Sequence, residues 1–232
     1  MLSAARYRPG AERPVRPAAP EAPAAAASID GAMTQYLYLV RHGEQRDAEH
    51  GVVDGPLSPR GRRQAALLAE RLGGVPLTTV SYAPSTVATE TAEIVRERLP
   101  SLEPKPSALL FDCVPSGPTP EVPRAFSGWF ASATEAEIEA GRAQMADAFA
   151  EFVTPGGQER HDLLITHNLV IAEFVRHAFD APEWRWLGLT QAHCGLTVLK
   201  VRSGRPVTLV SHNDLAHLPV ELRTGLVEPL PF

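Results

Sequence analysis

The feature that most constrains this chain is an apolar run, residues 36–40, that stops abruptly at the charged cluster Arg41-His42-Gly43-Glu44. Five β-favouring apolar residues in a row are typical of a strand buried on both faces, as in a parallel sheet. Open α/β sheets bind ligands just beyond the carboxyl ends of their strands. The run therefore predicts a strand that places Arg41, His42 and Gly43 at a ligand site.

The residue types in this cluster suit an anionic ligand. Arginine has a planar fork that matches phosphate oxygens, histidine can act as a nucleophile near neutral pH, and glycine lets a ligand approach the backbone. A short motif is weak evidence by itself, and the alternative interpretation is a charged turn after a buried strand.

A second buried-type strand, residues 161–166, also ends in a histidine, His167, which Asn168 follows. One strand-end histidine is usually structural. Two of them, together with Arg41 at the same edge of one sheet, predict a converging site.

The order of the remaining elements predicts the fold class. Strands should alternate with helices, and the last two strands should form a hairpin around Ser203-Gly204-Arg205. The predicted helices are 59–72, 85–99, 134–153 and 169–179, and the further strands are 77–82, 107–111, 196–201 and 207–210. This pattern favours a single three-layer α/β/α domain with a mainly parallel sheet, covering residues 33–232.

Residues 1–32 form an arm rich in Ala, Pro and Arg with almost no large apolar side chains. Such a composition cannot offset the entropy of ordering, so we expect the arm to be disordered. A mitochondrial transit peptide is the alternative, but its amphipathic helix is incompatible with so many prolines.

Composition also narrows the setting and the partners. The net charge of −5 and the scattered basic residues argue against nucleic-acid and membrane partners. Cys113 and Cys194 lack CxxC spacing, which favours a reducing, cytoplasmic setting. No set of metal ligands and no glycine-rich phosphate cradle is visible, so neither a metal nor a cofactor is expected. A phosphorylated small molecule or a phosphoprotein remains as the partner, and a homo-oligomer remains open.

The Pro- and Gly-rich segment 113–134 contains Phe126, Trp129 and Phe130. It is either a lid that selects the substrate or a long loop that these aromatic residues anchor to the core. The tail after Asn213 carries no functional signal.

Four stretches in order resemble the histidine phosphatase superfamily. They are Leu39–Glu44, Leu57–Gly61, Thr91–Glu93 and Ile165–Asn168. The phosphoglycerate-mutase-like branch fits best, and within it the chain looks most like phosphoglycerate-mutase-like protein phosphatases. The resemblance runs from about residue 35 to residue 213.

The resemblance implies a metal-independent phosphomonoester hydrolase that works through a phosphohistidine. His42 would be the nucleophile, and Arg41 and a protonated His167 would hold the phosphate oxygens. Asp112 would protonate the leaving oxygen and then deprotonate water. The family more often carries glutamate there. Gly43 and Asn168 complete the implied substrate-binding set.

One position departs from the family pattern, because Val87 stands where a second phosphate-binding arginine is expected. Losing a charge-assisted contact should lower activity by at least roughly tenfold to a hundredfold. Arg46 and Arg124 are candidate substitutes for it. Two alternatives to a weakened phosphatase stay open: a phosphate- or phosphoprotein-binding module that has lost turnover, and an altered reaction on a non-phosphate substrate.

Overall fold

The computed structural model describes residues 34–226. The predicted arm, residues 1–32, lies outside the described residues. Within residues 34–226, none of the helices combines the length and the apolar character needed to cross a bilayer.

Six strands form one sheet in the order β3-β2-β4-β1-β5-β6. Their bounds are β1 Thr34–Arg41, β2 Thr79–Tyr82, β3 Lys105–Pro106, β4 Arg160–Thr166, β5 Leu196–Arg202 and β6 Thr208–Asp214. The first four are mutually parallel, whereas β5 runs antiparallel to both of its neighbours. The prediction of an α/β domain with a mainly parallel sheet is confirmed.

Four long helices connect these strands: α1 Pro59–Leu72, α2 Thr86–Arg98, α3 Glu135–Phe152 and α4 Asn168–Ala178. The chain leaves β1 towards the β3 edge through α1 and α2, and returns through α3 and α4 towards β5. Because crossovers between parallel strands are right-handed, α1 and α2 cover one face of the sheet, and α3, on the return crossover to β4, covers the other. In agreement, α1 packs on α2, and α3 packs on α4.

The ends of α1 and α3 show why these helices begin where they do. The Ser58 hydroxyl accepts a hydrogen bond from the Gly61 N–H, and Pro59 occupies the first turn, where its missing N–H is not needed. At α3 the side chain of Thr134 and that of Glu137 cap each other's backbone N–H groups. Both starts agree with the predicted bounds.

The strand order predicts where a ligand cavity should lie. The chain goes in opposite directions from the neighbouring strands β1 and β4, which makes the crevice at their carboxyl ends a topological switch point. Arg41 pairs in register with Thr166, so His42 and His167 follow at adjacent strand ends.

The predicted third strand, residues 107–111, is wrong. Only Lys105 and Pro106 pair with β2, and Ala108–Leu110 form a 3-10 turn. After Pro106 the Ser107 N–H still donates to Tyr82 O at 2.9 Å, but β2 ends at Tyr82, so among residues 34–226 the chain has no further partner strand there. The backbone carbonyls that follow accept hydrogen bonds from side chains instead. Leu110 O accepts from the Thr166 hydroxyl, and Phe111 O accepts from the Gln144 side-chain amide.

The tail after Asn213 is part of the structure, contrary to the expectation that it carries no signal. Gln64 in α1 donates hydrogen bonds from its side-chain amide to Leu222 O and Thr224 Oγ1. Gly225 O lies 2.7 Å from Nη1 of Arg41. The tail therefore reaches back to the end of β1.

Two glycines let α1 approach the end of β1. A Cβ on Gly61 would clash with the carbonyl oxygen of Glu44, and a Cβ on Gly43 would lie 2.7 Å from Gly61 O. Both contacts are with backbone, which cannot swing aside.

We expect Gly61→Ala to lower the free energy of unfolding by about 1–3 kcal/mol, the usual effect of forcing extra volume into packed structure. Urea unfolding monitored by circular dichroism measures this. Gly74→Ala is the matched control, because a Cβ there meets nothing within 4 Å. Equal stability of the two variants would contradict the close packing of α1 on β1.

Candidate active site

A cavity of about 490 Å³ opens at the carboxyl ends of β1 and β4. Its charged and imidazole side chains are Arg41, His42, Asp54, Asp112, His167 and His193. The site expected at this edge of the sheet is therefore formed, with two further polar residues that the sequence did not indicate.

His42 is held with one ring nitrogen facing the cavity. Its Nδ1 lies 2.7 Å from Gly43 O. A carbonyl oxygen only accepts, so Nδ1 carries the proton and Nε2 keeps its lone pair. Burial, reinforced by His167 and by the charge of Arg41, lowers the pKa of His42 to about 3. The ring is neutral at physiological pH, as a nucleophile must be.

Gly43 packs against the start of α1. A Cβ at this position would lie 2.7 Å from Gly61 O, so the backbone of Gly61 requires a glycine here. The Gly43 N–H donates to Thr91 Oγ1 at 3.1 Å, and the Thr91 hydroxyl donates to Val87 O at 2.7 Å. Helix α2 thus fixes the peptide whose carbonyl orients His42.

His167 lies beside His42, with 4.9 Å between the two ring centroids. Its Nε2 is 3.3 Å from Ser85 Oγ. Burial and, next, the charge of Arg41 lower the pKa of His167 to about 4, although Asp54 opposes the shift. The unliganded ring is therefore neutral, and the protonated form that was expected requires the negative charge of a bound phosphate.

Arg41 is anchored through one arm of its guanidinium. Nη1 donates to Gln191 O and Gly225 O, both at 2.7 Å. Within residues 34–226 no partner is found for Nη2, and the buried Nε also has none. Burial lowers the pKa of Arg41, with Asp112 opposing, but the group remains charged.

Asp112 follows the 3-10 turn and faces the same cavity. The backbone N–H groups of Leu169 and Cys113 bind its carboxyl group. This group opens into the cavity, yet the surrounding protein withholds much of its solvation, and that desolvation raises the pKa to about 6 against the pull of Arg41. A carboxyl with this pKa can donate or accept a proton near neutrality.

Asn168, the remaining predicted ligand, does not line this cavity. Its Oδ1 accepts from the Gln191 N–H at 2.7 Å, so it shapes the loop that anchors Arg41. Asn168 borders a neighbouring apolar cavity of about 510 Å³ that Phe126 and Trp129 also line. Phe130 is buried against Trp186, so the segment 113–134 is anchored to the core in part and borders the second cavity in part.

The wall formed by α2 carries no cation. Val87 is 2% exposed and lines the cavity from the first turn of α2. The Asp54 carboxylate accepts from the Thr86 N–H at 2.8 Å and from the Thr86 hydroxyl at 3.1 Å, so an anion caps this helix. Neither Arg46, which pairs with Asp47 at 3.7 Å, nor Arg124 lines the cavity.

Besides Asp54, His193 is a cavity residue that the sequence did not indicate. It lies just before β5, and its ring centroid is 5.7 Å from that of His42. No apolar run ends at this histidine. The signal that could have indicated it is the strand topology. Strand β5 runs antiparallel to β1, so the residues just before β5 lie at the sheet edge where β1 ends.

The cavity thus brings together a neutral histidine, a second histidine, an arginine and a carboxyl with a raised pKa, which are the residue types that the resemblance to histidine phosphatases led us to expect. A sequence model of the histidine phosphatase superfamily, branch 1, matches residues 37–113. Among solved structures, Bacillus stearothermophilus YhfR is 26% identical, with a TM-score of 0.65 over 80% of this chain and 100% of that chain.

Curated relatives agree with this match. The serine/threonine-protein phosphatase Pgam5, mitochondrial, of Caenorhabditis briggsae is 32% identical over 189 residues, which are 78% of this chain and 64% of that protein. The human protein of the same name is 27% identical over 192 residues, 80% of this chain and 65% of that protein. This chain thus spans slightly less than two thirds of their length. It belongs to the histidine phosphatase superfamily, in the phosphoglycerate-mutase-like branch.

The prediction of a cytoplasmic setting is wrong. It was based on the cysteine spacing and on the lack of an apolar run long enough to span a bilayer, and the relatives that overturn it are named mitochondrial. Unpaired cysteines indicate a reducing environment, which does not distinguish one reducing compartment from another.

We expect Asp54→Asn to tighten the binding of inorganic phosphate about fivefold, because removing one like charge near the ligand is worth about 1 kcal/mol in a solvated site. Asparagine keeps an oxygen to cap Thr86, so α2 should be unaffected. Titration calorimetry measures the affinity. Asp47→Asn is the control, since Asp47 lies in the same segment but does not line the cavity. Unchanged affinity in Asp54→Asn would contradict an anionic wall.

Proposed function

We propose that this protein is a metal-independent phosphomonoester hydrolase that works through a phosphohistidine on His42. The observation that supports it best is the orientation of His42, whose Nδ1–H is held by Gly43 O so that the Nε2 lone pair faces the cavity. Arg41, His167 and Asp112 line the same cavity and supply the other groups that phosphoryl transfer needs.

In the first step, His42 Nε2 attacks phosphorus in line with the ester oxygen. An N–P bond forms, the P–O ester bond breaks, and protonated Asp112 gives its proton to the leaving oxygen. Because the pKa of Asp112 is raised to about 6, a useful fraction of the acid form is present near neutrality.

In the second step, the Asp112 carboxylate takes a proton from water as the water oxygen attacks phosphorus. The N–P bond breaks, inorganic phosphate leaves, and both His42 and Asp112 return to their starting protonation states. One carboxyl thus serves as acid and then as base.

Charge stabilisation in this site is weaker than a second arginine would provide. Arg41 offers Nη2, and His167 becomes a second cation only when the phosphate raises its pKa from about 4. Val87 contributes no charge, and Asp54 contributes a negative charge that repels a phosphate. We infer a slow enzyme, in line with the expected loss of one charge-assisted contact.

The metal-free character of the reaction is part of the proposal. Within residues 34–226, one group of side chains could hold a metal ion, and it consists of the exposed residues Asp47, Glu49 and His50. None of the three lines the cavity. The nucleophile is supplied by His42, so the chemistry requires no metal-bound water.

For the substrate, we propose a phosphorylated serine or threonine side chain of a protein. The curated relatives are named serine/threonine-protein phosphatases, and this supports the choice. A phosphorylated small molecule is the alternative.

A second candidate function is a phosphate- or phosphoprotein-binding module with little turnover. Val87 and the Asp54 cap favour it, because they leave Arg41 as the only permanent cation among the cavity residues. It shares the phosphate site with the first proposal and differs only in covalent chemistry.

The trapping of a phosphoenzyme separates the two candidates. We expect wild-type protein incubated with a ³²P-labelled phosphoserine peptide to yield a label that is stable in alkali and labile in acid, as phosphohistidine is. His42→Ala should carry no label, whereas His177→Ala, changed at an exposed histidine of α4, should label normally. Phosphate binding without any label in the wild-type protein would favour the binding module.

The raised pKa of Asp112 predicts opposite pH dependences for the two steps. Phosphoenzyme formation should fall as pH rises through about 6, since the acid form is lost, and phosphoenzyme breakdown should rise over the same range. Rapid-quench measurements separate the steps.

In Asp112→Asn, formation from p-nitrophenyl phosphate should persist, because that leaving group needs no proton, and breakdown should be slowed by roughly a hundredfold. Breakdown at the wild-type rate would exclude Asp112 as the base.

A further inference from the structure

His193 is placed in the cavity by backbone contacts from two directions. Its N–H donates to Thr224 O at 2.9 Å, and the next N–H, that of Cys194, donates to Arg41 O at 2.9 Å. The ring therefore sits between the end of β1 and the tail, next to His42. Neither the mechanism above nor the family motifs in the sequence use this residue.

A hydrogen-bond chain outside the cavity determines which ring nitrogen of His193 is protonated. It begins at the Glu44 N–H, which donates to Gln64 Oε1 at 2.9 Å. That contact fixes the orientation of the Gln64 amide, so its NH₂ group points the other way and donates to Leu222 O at 2.7 Å and to Thr224 Oγ1 at 2.9 Å.

The next link is the Thr224 hydroxyl, which has a single proton. Since its oxygen accepts from Gln64, the proton is free to be donated to His193 Nδ1, 3.0 Å away. Within the part of the chain that the structure describes, this hydroxyl has no other acceptor. Nδ1 of His193 is then the acceptor, and the ring proton resides on Nε2.

His42 and His193 are thus neighbouring histidines in opposite tautomers. In His42, Nδ1 donates its proton to the carbonyl oxygen of Gly43, so Nε2 is unprotonated. In His193, Nδ1 accepts the proton of the Thr224 hydroxyl, so Nε2 carries the ring proton and can donate it. Among residues 34–226, none forms a hydrogen bond with the Nε2 of His193, and the His193 side chain lines the cavity. Burial also lowers its pKa to about 2, with Arg41 and His42 adding to the effect, so the ring stays neutral.

We propose that His193 is a phosphate-binding residue whose Nε2–H donates to an oxygen of the phosphoryl group attacked by His42, with Gln64 and Thr224 as positioning residues that set its tautomer. This rests on the proposed function and extends it to a donor that partly replaces the cation absent at Val87. A neutral donor suits this place, because a further cation would have to be buried beside Arg41.

Removing the donor should affect the transition state more than the ground state, because charge accumulates on the equatorial oxygens during transfer. We expect His193→Ala to lower kcat/KM roughly 10- to 100-fold, mostly through kcat. His193→Gln should retain most activity, since its amide NH₂ reaches the place of Nε2. His193→Asn reaches only the place of Nδ1 and should resemble His193→Ala.

The tautomer is measured without reference to turnover. In the ¹⁵N-labelled full chain, two-bond ¹H–¹⁵N spectra should show the His193 signals, assigned by their loss in His193→Gln, with Nε2 protonated and Nδ1 unprotonated. Thr224→Val should remove this preference and lower kcat, and Thr224→Ser should restore both. Nδ1 protonated in the wild-type protein would overturn the proposal.

Kinetics and the binding of inorganic phosphate complete the test, with His177→Ala as the matched control. An active wild-type protein whose kcat and phosphate affinity are the same in His193→Ala would also overturn the role of His193. A wild-type protein without turnover would refute the phosphatase proposal alone. In that case, weaker phosphate binding in His193→Ala and Thr224→Val, but not in Thr224→Ser, would still support the donor, and unchanged binding would reject it.

Discussion

The parallel pairing of β1 with β4 is the constraint on which the rest of the site depends. Its register sets Arg41 opposite Thr166, so the two strands release His42 and His167 at the same level of the sheet edge. Strand β5 pairs on the other side of β1 in the opposite direction, which brings the residues before Leu196 to the same edge. Three histidines from distant parts of the sequence therefore converge without any long loop having to fold over them.

Burial decides the chemistry of these histidines. Each loses solvation beside the charge of Arg41, so each is held neutral, with pKa values of about 3, 4 and 2 for His42, His167 and His193. For neutral rings the function depends on which nitrogen carries the proton. That choice is made by Gly43 O for His42 and by Thr224 Oγ1 for His193. Groups outside the cavity thus determine which nitrogen of each ring carries the proton.

The wall formed by α2 explains the departure seen in the sequence. Val87 lines the cavity from the first turn, where the family pattern places an arginine, and Asp54 caps the same helix end with a negative charge. Arg41 is the one permanent cation among the residues that line the cavity, and the pKa of His167 is lowered to about 4. In the proposed reaction, His167 would therefore gain its proton only beside a bound phosphate, and oriented neutral donors would have to supply the rest of the stabilisation.

The sequence by itself determined the alternation of strands and helices, the strand ends at His42 and His167, and the helix starts at Ser58 and Thr134. These features are local, since the spacing of apolar residues and the identity of a cap residue determine the structure of only the neighbouring few residues. The strand predicted at 107–111 is wrong because its partner β2 ends at Tyr82, whose carbonyl accepts from the Ser107 N–H, and the chain then turns into a 3-10 helix. Only the tertiary structure decided that Gly43 packs against Gly61 and that His193 lines the cavity in contact with Thr224. Their roles arise from contacts between segments far apart in the chain, such as Gln64 with Thr224, for which no local pattern exists.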